Sequence, residues 1–212
     1  MPRLMDLGLE QLTNMILDME KQAEKTIIDS LDAYQRKRGI TIDSIFHLSE
    51  QLKMMRDDTN DLAVELLARY QPLAGDLRYI KSCIDIAYDL SRFGRYAYDI
   101  ALTPFLIGDL SSCDFKTALD MADKALAMIK KSMDAFRNKD AQLAKTLQKD
   151  DDVIDGMYKE TIRGMLKEGN NNTKCIIANT LLLRHIERIA YHACYVADSV
   201  IYIVEGEKLG LH

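Results

Sequence analysis

From Met5 onward the apolar residues step by three and four: Met5, Leu9, Leu12, Ile16, Met19, Ala23, Ile27, Leu31 and Tyr34, with Gly39 standing as a stop signal. That spacing places them on one face of a helix and leaves no room for the alternation of a strand. A second run over about 41–70 carries Ile45, Leu48, Leu52, Met55, Leu62 and Leu66, and ends at the turn 71–75, which contains Pro72. Asp76 reads as the cap of a third helix reaching about Phe105. After a break at 107–112, three more follow over about 114–137, 141–168 and 173–205, with short connections at 138–140 and 169–172. Helices of about 24 to 34 residues are roughly 35 to 50 Å long, and short connections make them antiparallel neighbours. Three prolines and ten glycines in 212 residues agree with an all-α chain.

The two halves correspond. Ser30-Leu31-Asp32-Ala33-Tyr34 near the end of the first helix matches Ser132-Met133-Asp134-Ala135-Phe136 near the end of the fourth. In the third helix of each half, Arg92, Ala97 and Ala101 match Arg188, Ala193 and Ala197 at an offset of 96 (188 − 92). The expected architecture is two tandem three-helix bundles, the first over 1–106 and the second over 111–207.

The 28 basic and 33 acidic residues give a net charge of −5 without a Lys/Arg cluster, so nucleic acid is not an expected partner. Cys83, Cys113, Cys175 and Cys194 form no CxxC pair and no zinc spacing, and MPRLMDLGLE lacks a signal-peptide core. The expectation is four free thiols in a reducing, cytoplasmic compartment. No apolar run approaches the roughly 20 residues that cross a bilayer.

Asp151 and Asp155 are four apart, so their carboxylates leave one helix face about 6 Å apart at Cβ. Glu187 on the last helix stands at the same depth, and three oxygen-rich groups of this kind suit Mg²⁺, Mn²⁺ or oxidised iron. The plainer reading of KDDDVID is a solvated acidic face near a helix start, where negative charge is favoured. The corresponding first-half positions are Ser49, Lys53, Ser91 and Arg95, against Asp151, Asp155, Glu187 and Tyr191 in the second half. Four charges that differ together are expected of residues serving one site, and the first half should hold no metal.

His185 and His192 are seven apart, about 10 Å along a helix, too far to share one ion; packed or hydrogen-bonded roles are expected of them. The chain has no Glu-x-x-His, no Gly-rich phosphate loop and no GxSxG elbow, so covalent catalysis has no support. A metal-dependent hydrolase on the acidic groove would need a general base. His192, one residue beyond Tyr191, is turned about 100° away around the helix.

Three segments, QPLAGDLR (71–78), HIERIAYHA (185–193) and DSVIYIVEGE (198–207), resemble the PhoU family of phosphate-uptake regulators. The family phrase in the middle segment reads approximately LERIGDHA, and DLSRFGRYA (89–97) occupies the same place in the first half. The resemblance implies a cytoplasmic protein of two three-helix bundles, commonly dimeric, that is not an enzyme and restrains phosphate uptake and starvation signalling. It implies the ATP-binding subunit of the phosphate ABC transporter and/or a sensor histidine kinase as partners; the alternatives are an adaptor of a sodium-phosphate or potassium system and a metal-binding helical protein. Some relatives bind metal clusters through paired acidic motifs, one pair per bundle. Carried over residue by residue, Asp151, Asp155 and Glu187 remain and Tyr191 replaces the fourth acid, so at most one divalent or iron site is expected, in the second bundle.

Overall fold

The computed structural model describes residues 4–35, 40–167 and 172–211. Its helices are α1 (Leu4–Tyr34), α2 (Ile42–Tyr70), α3 (Ala74–Ile107), α4 (Lys116–Asn138), α5 (Ala141–Lys145), α6 (Leu147–Lys167) and α7 (Thr173–Glu205), and no strand occurs among the described residues. Gly39 and the connection 169–171 lie outside them. No helix of the described residues is long and apolar enough to cross a membrane.

Local chemistry sets the helix ends. Thr41 begins α2 with a reciprocal capping box, Ser44 N donating to Thr41 Oγ1 at 3.2 Å and Thr41 N to Ser44 Oγ at 3.1 Å. At the other end of α2 the backbone turns through Gln71 and Ala74, both at positive φ, so α3 starts at Ala74 with Leu73 in the cap position. Asp76 is therefore not the cap; it sits inside the first turn, where its charge still faces the helix N-terminus. The helix expected over 141–168 is interrupted. Asp140 caps a single turn by accepting from Leu143 N at 2.9 Å, and Thr146 closes it by donating its hydroxyl to Leu143 O at 2.6 Å. The axis then restarts as α6.

α1, α2 and α3 pack on one another, α4, α6 and α7 do the same, and α3 lies along α7 to join the two bundles. The bundles share one apolar core, with Ile16, Leu52, Phe93, Ile129, Ile154 and Val200 all fully excluded from water. The sequence repeat is a structural repeat. Ser30 Oγ donates to Ile27 O at 2.7 Å and Ser132 Oγ to Ile129 O at 2.8 Å, with Tyr34 and Phe136 buried beyond them. Arg137 adds a polar tie from α4 to α1, its Nη2 standing 2.5 Å from the carboxylate of buried Glu20. Burial pushes the Glu20 carboxyl upward, against the downward pull of Arg137.

The four thiols expected from the sequence are two. Cys113, in the connection between α3 and α4, is bonded to Cys175 in the first turn of α7, while Cys83 and Cys194 are free and buried. The bonded pair is 62 residues apart, and only the fold brings a loop and a helix start together.

Gly94 is the residue that lets α3 approach α2. A Cβ there would stand 2.8 Å from Leu52 Cδ1 and 3.2 Å from the Ser49 backbone. Gly94→Ala should lower stability by about 1–3 kcal/mol through overpacking. Gly156→Ala, in α6 with nothing within 4 Å of the new Cβ, should raise it by up to about 1 kcal/mol. Urea denaturation of both variants checks the pair; equal stabilisation would mean that the helices are not in close contact at Gly94.

Candidate functional site

Asp151 and Asp155 leave α6 one turn apart, and Glu187 faces them from α7. Asp151 is buried, and its carboxyl is pushed up to about 6, first by burial and then by the negative charges of Asp155 and Glu187. The three acids named from the sequence are therefore brought together closely enough to act on one another. Two of them already have cations. Lys159 Nζ lies 2.9 Å from Asp155 Oδ2, and Arg184 Nη1 reaches both oxygens of Glu187, at 2.9 and 2.8 Å. Tyr191 is drawn into an aromatic group instead: Tyr195 Oη donates to its hydroxyl at 3.0 Å, and the Arg188 guanidinium lies over its ring at 5.0 Å.

Among the described residues no group of three or more His, Cys, Asp or Glu has the arrangement that would hold a metal ion. The donor set as it stands does not fit a ready-made cation cage, because Asp155 and Glu187 would each have to release a bound cation first. At the four first-half positions, Lys53 pairs with Glu50 at 3.5 Å, Arg95 with Asp99 at 3.1 Å, and Ser91 Oγ donates to Tyr88 O at 2.7 Å. Ser49 lies under Gly94.

A second polar cluster sits where α3 crosses α7. His192 is 4 % exposed, yet both ring nitrogens are engaged: Nδ1 with Asp89 Oδ1 at 2.8 Å and Nε2 with the Tyr96 hydroxyl at 3.3 Å. Arg92 and Arg188 both donate to that hydroxyl, at 3.1 and 3.3 Å, from positions over the Tyr96 ring. His185 stands against the same ring at 6.3 Å. The repeat offset of 96 makes Asp89 the equivalent of His185 and Tyr96 the equivalent of His192, so the Asp89–His192 and Tyr96–His185 contacts exchange under that offset. The histidines are thus structural, as their spacing suggested. Asp89 and Tyr96 were not singled out from the sequence, although the offset matches them with His185 and His192; Arg188 was named there only as the repeat match of Arg92.

The remaining signature segments meet at one end of the molecule. The QPLAGDLR turn brings Arg78 beside Gly206, its guanidinium 3.9 Å from where a Cβ would stand, and Gly206 closes α7 at φ 86°. Gly75 and Asp76 line one groove of about 490 Å³ together with Ile203 and Val204. On the same end Leu73 is 82 % exposed, and Leu77 and Val204 are also exposed. Beyond α7 the chain returns, with Lys208 Nζ 3.0 Å from Asp85 and Leu211 N donating to Asp198 Oδ2 at 3.2 Å.

The folded-state value of Asp151 lies above the ordinary aspartate value, so its contribution to stability is fully present below about pH 4 and is lost as pH rises through about 6. Asp151→Asn should remove that pH dependence and stabilise the protein at pH 8 by on the order of 2 kcal/mol. Urea midpoints of both proteins at pH 5 and pH 8 read it; a variant less stable than the parent at pH 8 contradicts the assignment.

Comparison with known proteins agrees with this layout. The PhoU domain model matches twice, over residues 16–103 and 118–200. The phosphate-specific transport system accessory protein PhoU homolog of Clostridium acetobutylicum is 28% identical over 99% of this chain and 98% of its own. PhoU homolog 1 of Methanothermobacter thermautotrophicus is 26% identical over 98% and 97%. The crystal structure of PhoU from Pseudomonas aeruginosa superposes with a TM-score of 0.86 at 28% identity, covering 95% of this chain and 99% of that one. The phosphate transport system regulatory protein PhoU from Streptococcus pneumoniae shares the fold, with a TM-score of 0.87 at 22% identity. With the family model matched in both bundles, the chain belongs to the PhoU family.

Proposed function

We propose that this protein is a cytoplasmic, non-enzymatic regulator of phosphate uptake and phosphate-starvation signalling. It acts, as a homodimer of two-bundle chains (1–106 and 111–207), by binding the ATP-binding subunit of a phosphate ABC transporter and/or a sensor histidine kinase. The observation that carries the reading is the meeting of QPLAGDLR with the end of DSVIYIVEGE, over 120 residues away in the chain, at a surface with exposed Leu73, Leu77 and Val204. An exposed leucine at the cap position of a helix does nothing for this chain's own core, and an exposed apolar group beside a groove suits docking of a partner helix. Its relatives named as accessory proteins of phosphate-specific transport support the choice of partner. The non-enzymatic reading is supported by His192, whose two nitrogens are held inside the α3–α7 crossing and present no base to a substrate.

For the acidic groove we propose at most a weak cation site, in which an ion would replace Lys159 and Arg184 as the partners of Asp155 and Glu187.

A tagged Leu73→Asp variant should fold as the parent does but lose most of the transporter ATPase recovered by pull-down from phosphate-replete cells. Recovery of a sodium-coupled carrier instead, or equal recovery by the variant, overturns the partner or its surface. Metal analysis of the same preparations, beside an Asp155→Ala, Glu187→Ala double variant, tests the cation; equal, near-zero content in all of them ends that reading.

A further inference from the structure

The four cysteines fall into two kinds. Cys83 and Cys194 lie in the core, where burial pushes both thiols well above their usual range and keeps them inert. Cys113 and Cys175 are half-buried, and both line a cavity of about 610 Å³ between the α3–α4 connection, α6 and the start of α7. A small thiol entering that cavity reaches the bond without the core opening.

The bond is not the only fastening of the connection. Asn179 Nδ2 donates to Asp114 O at 2.9 Å. Phe115 packs edge-on against Tyr34 with ring centroids 5.0 Å apart, and the Tyr34 hydroxyl donates to Ala178 O at 3.2 Å. Cleaving the sulfur–sulfur bond therefore leaves the connection docked on the second turn of α7, at Ala178 and Asn179. Only the first turn of α7, capped by Asn172 and containing Cys175, loses its covalent hold. In the cytoplasm a structural disulfide is uncommon, and those that occur are usually transient, catalytic or redox-sensing.

We propose that Cys113–Cys175 is a reversible thiol–disulfide exchange site whose reaction partners are dithiols, and that its state sets how firmly the inter-bundle connection holds the start of α7. The proposal rests on the cytoplasmic reading given above. In the reducing direction a thiolate of the dithiol attacks one sulfur of the pair. The sulfur–sulfur bond breaks, the displaced cysteine leaves as thiolate and takes a proton, and a mixed disulfide remains. The second thiol of the dithiol then attacks that mixed disulfide, releases the other cysteine as a thiol and closes the dithiol's own disulfide. Two electrons and two protons pass to the protein; an oxidised dithiol runs the same steps in reverse.

The test uses the full chain, equilibrated without denaturant in mixtures of reduced and oxidised dithiothreitol, quenched with acid and alkylated for mass analysis. The expected result is one two-electron transition confined to Cys113 and Cys175. The fully reduced protein should stay folded, with a thermal midpoint lower by about 10 °C, as opening a 62-residue loop predicts for a chain of this size. Cys113→Ser should match the reduced protein and show no further change with dithiothreitol; should it fail to fold, the reduced parent supplies the same comparison. Four alkylated thiols at every ratio, or a bond that yields only when the protein unfolds, overturns the proposal. Protein acid-quenched directly from growing cells separates the two readings: a wholly oxidised pool with exchange intact in vitro counts against the cytoplasmic reading and not against the site.

Discussion

The structure depends on the antiparallel contact of α3 with α7. Lys81 meets the ring of Tyr202, Asp89 meets His192 and Tyr96 meets His185, so positions that advance along one helix retreat along the other. Two three-helix bundles are joined here through a surface that each contributes from its own third helix, and the same offset relates the residues on its two sides. Around a largely apolar seam, the Asp89–His192–Tyr96 group fixes register: a buried carboxylate, an imidazole and a phenol must meet at hydrogen-bonding distance or be left without partners in the interior, at a cost of about 1–3 kcal/mol each. A slip by one helical turn would break every one of these contacts.

With the bundles locked at the seam, their outer faces are free to differ, and they do. The second bundle gathers Asp151, Asp155 and Glu187, whereas the first has Ser49, Lys53, Ser91 and Arg95 at the corresponding places. In this chain Asp155 and Glu187 are paired with Lys159 and Arg184, and Lys53 and Arg95 with Glu50 and Asp99. Tyr191, at the fourth acidic position of the family phrase, is bound up with Tyr195 and Arg188. The electrostatic consequence is concentrated on Asp151, the one acid of the three that is buried and has no cation beside it among the described contacts.

Much of this was legible in the sequence. The helices were, because a 3.6-residue apolar period over about 30 residues has one physical solution. The repeat was legible down to paired serines that make the same backbone bond in each half. The proximity of Asp151, Asp155 and Glu187 followed from one i,i+4 spacing and the matching depth of Glu187 on the last helix. What escaped had no local signal. The positive φ of Gln71 and Ala74 occurs without glycine at either position, so the cap of α3 was set at Asp76, three residues after Leu73. The break at Thr146 lies in a helical pattern that continues on both sides. Cys113 and Cys175 are 62 residues apart, and their pairing is a property of tertiary structure alone. Asp89 and His192 are a middle case: the 96-residue offset matches Asp89 with His185 and Tyr96 with His192, but that Asp89 meets His192 across the seam, 103 residues away, is a property of the helix crossing.

A shared core and a register-fixing seam make the two bundles one cooperative unit. The measurement that tests this most directly is native-state hydrogen exchange across a urea series, read for core amides of α1–α3 and of α4–α7 in the same sample. One unit predicts that amides near Phe93 and Val200 converge on a single opening free energy and a single urea dependence, equal to those of global unfolding. Exchange of the α1–α3 core through an opening that leaves α4–α7 protected, or two resolved transitions in calorimetry, would contradict it.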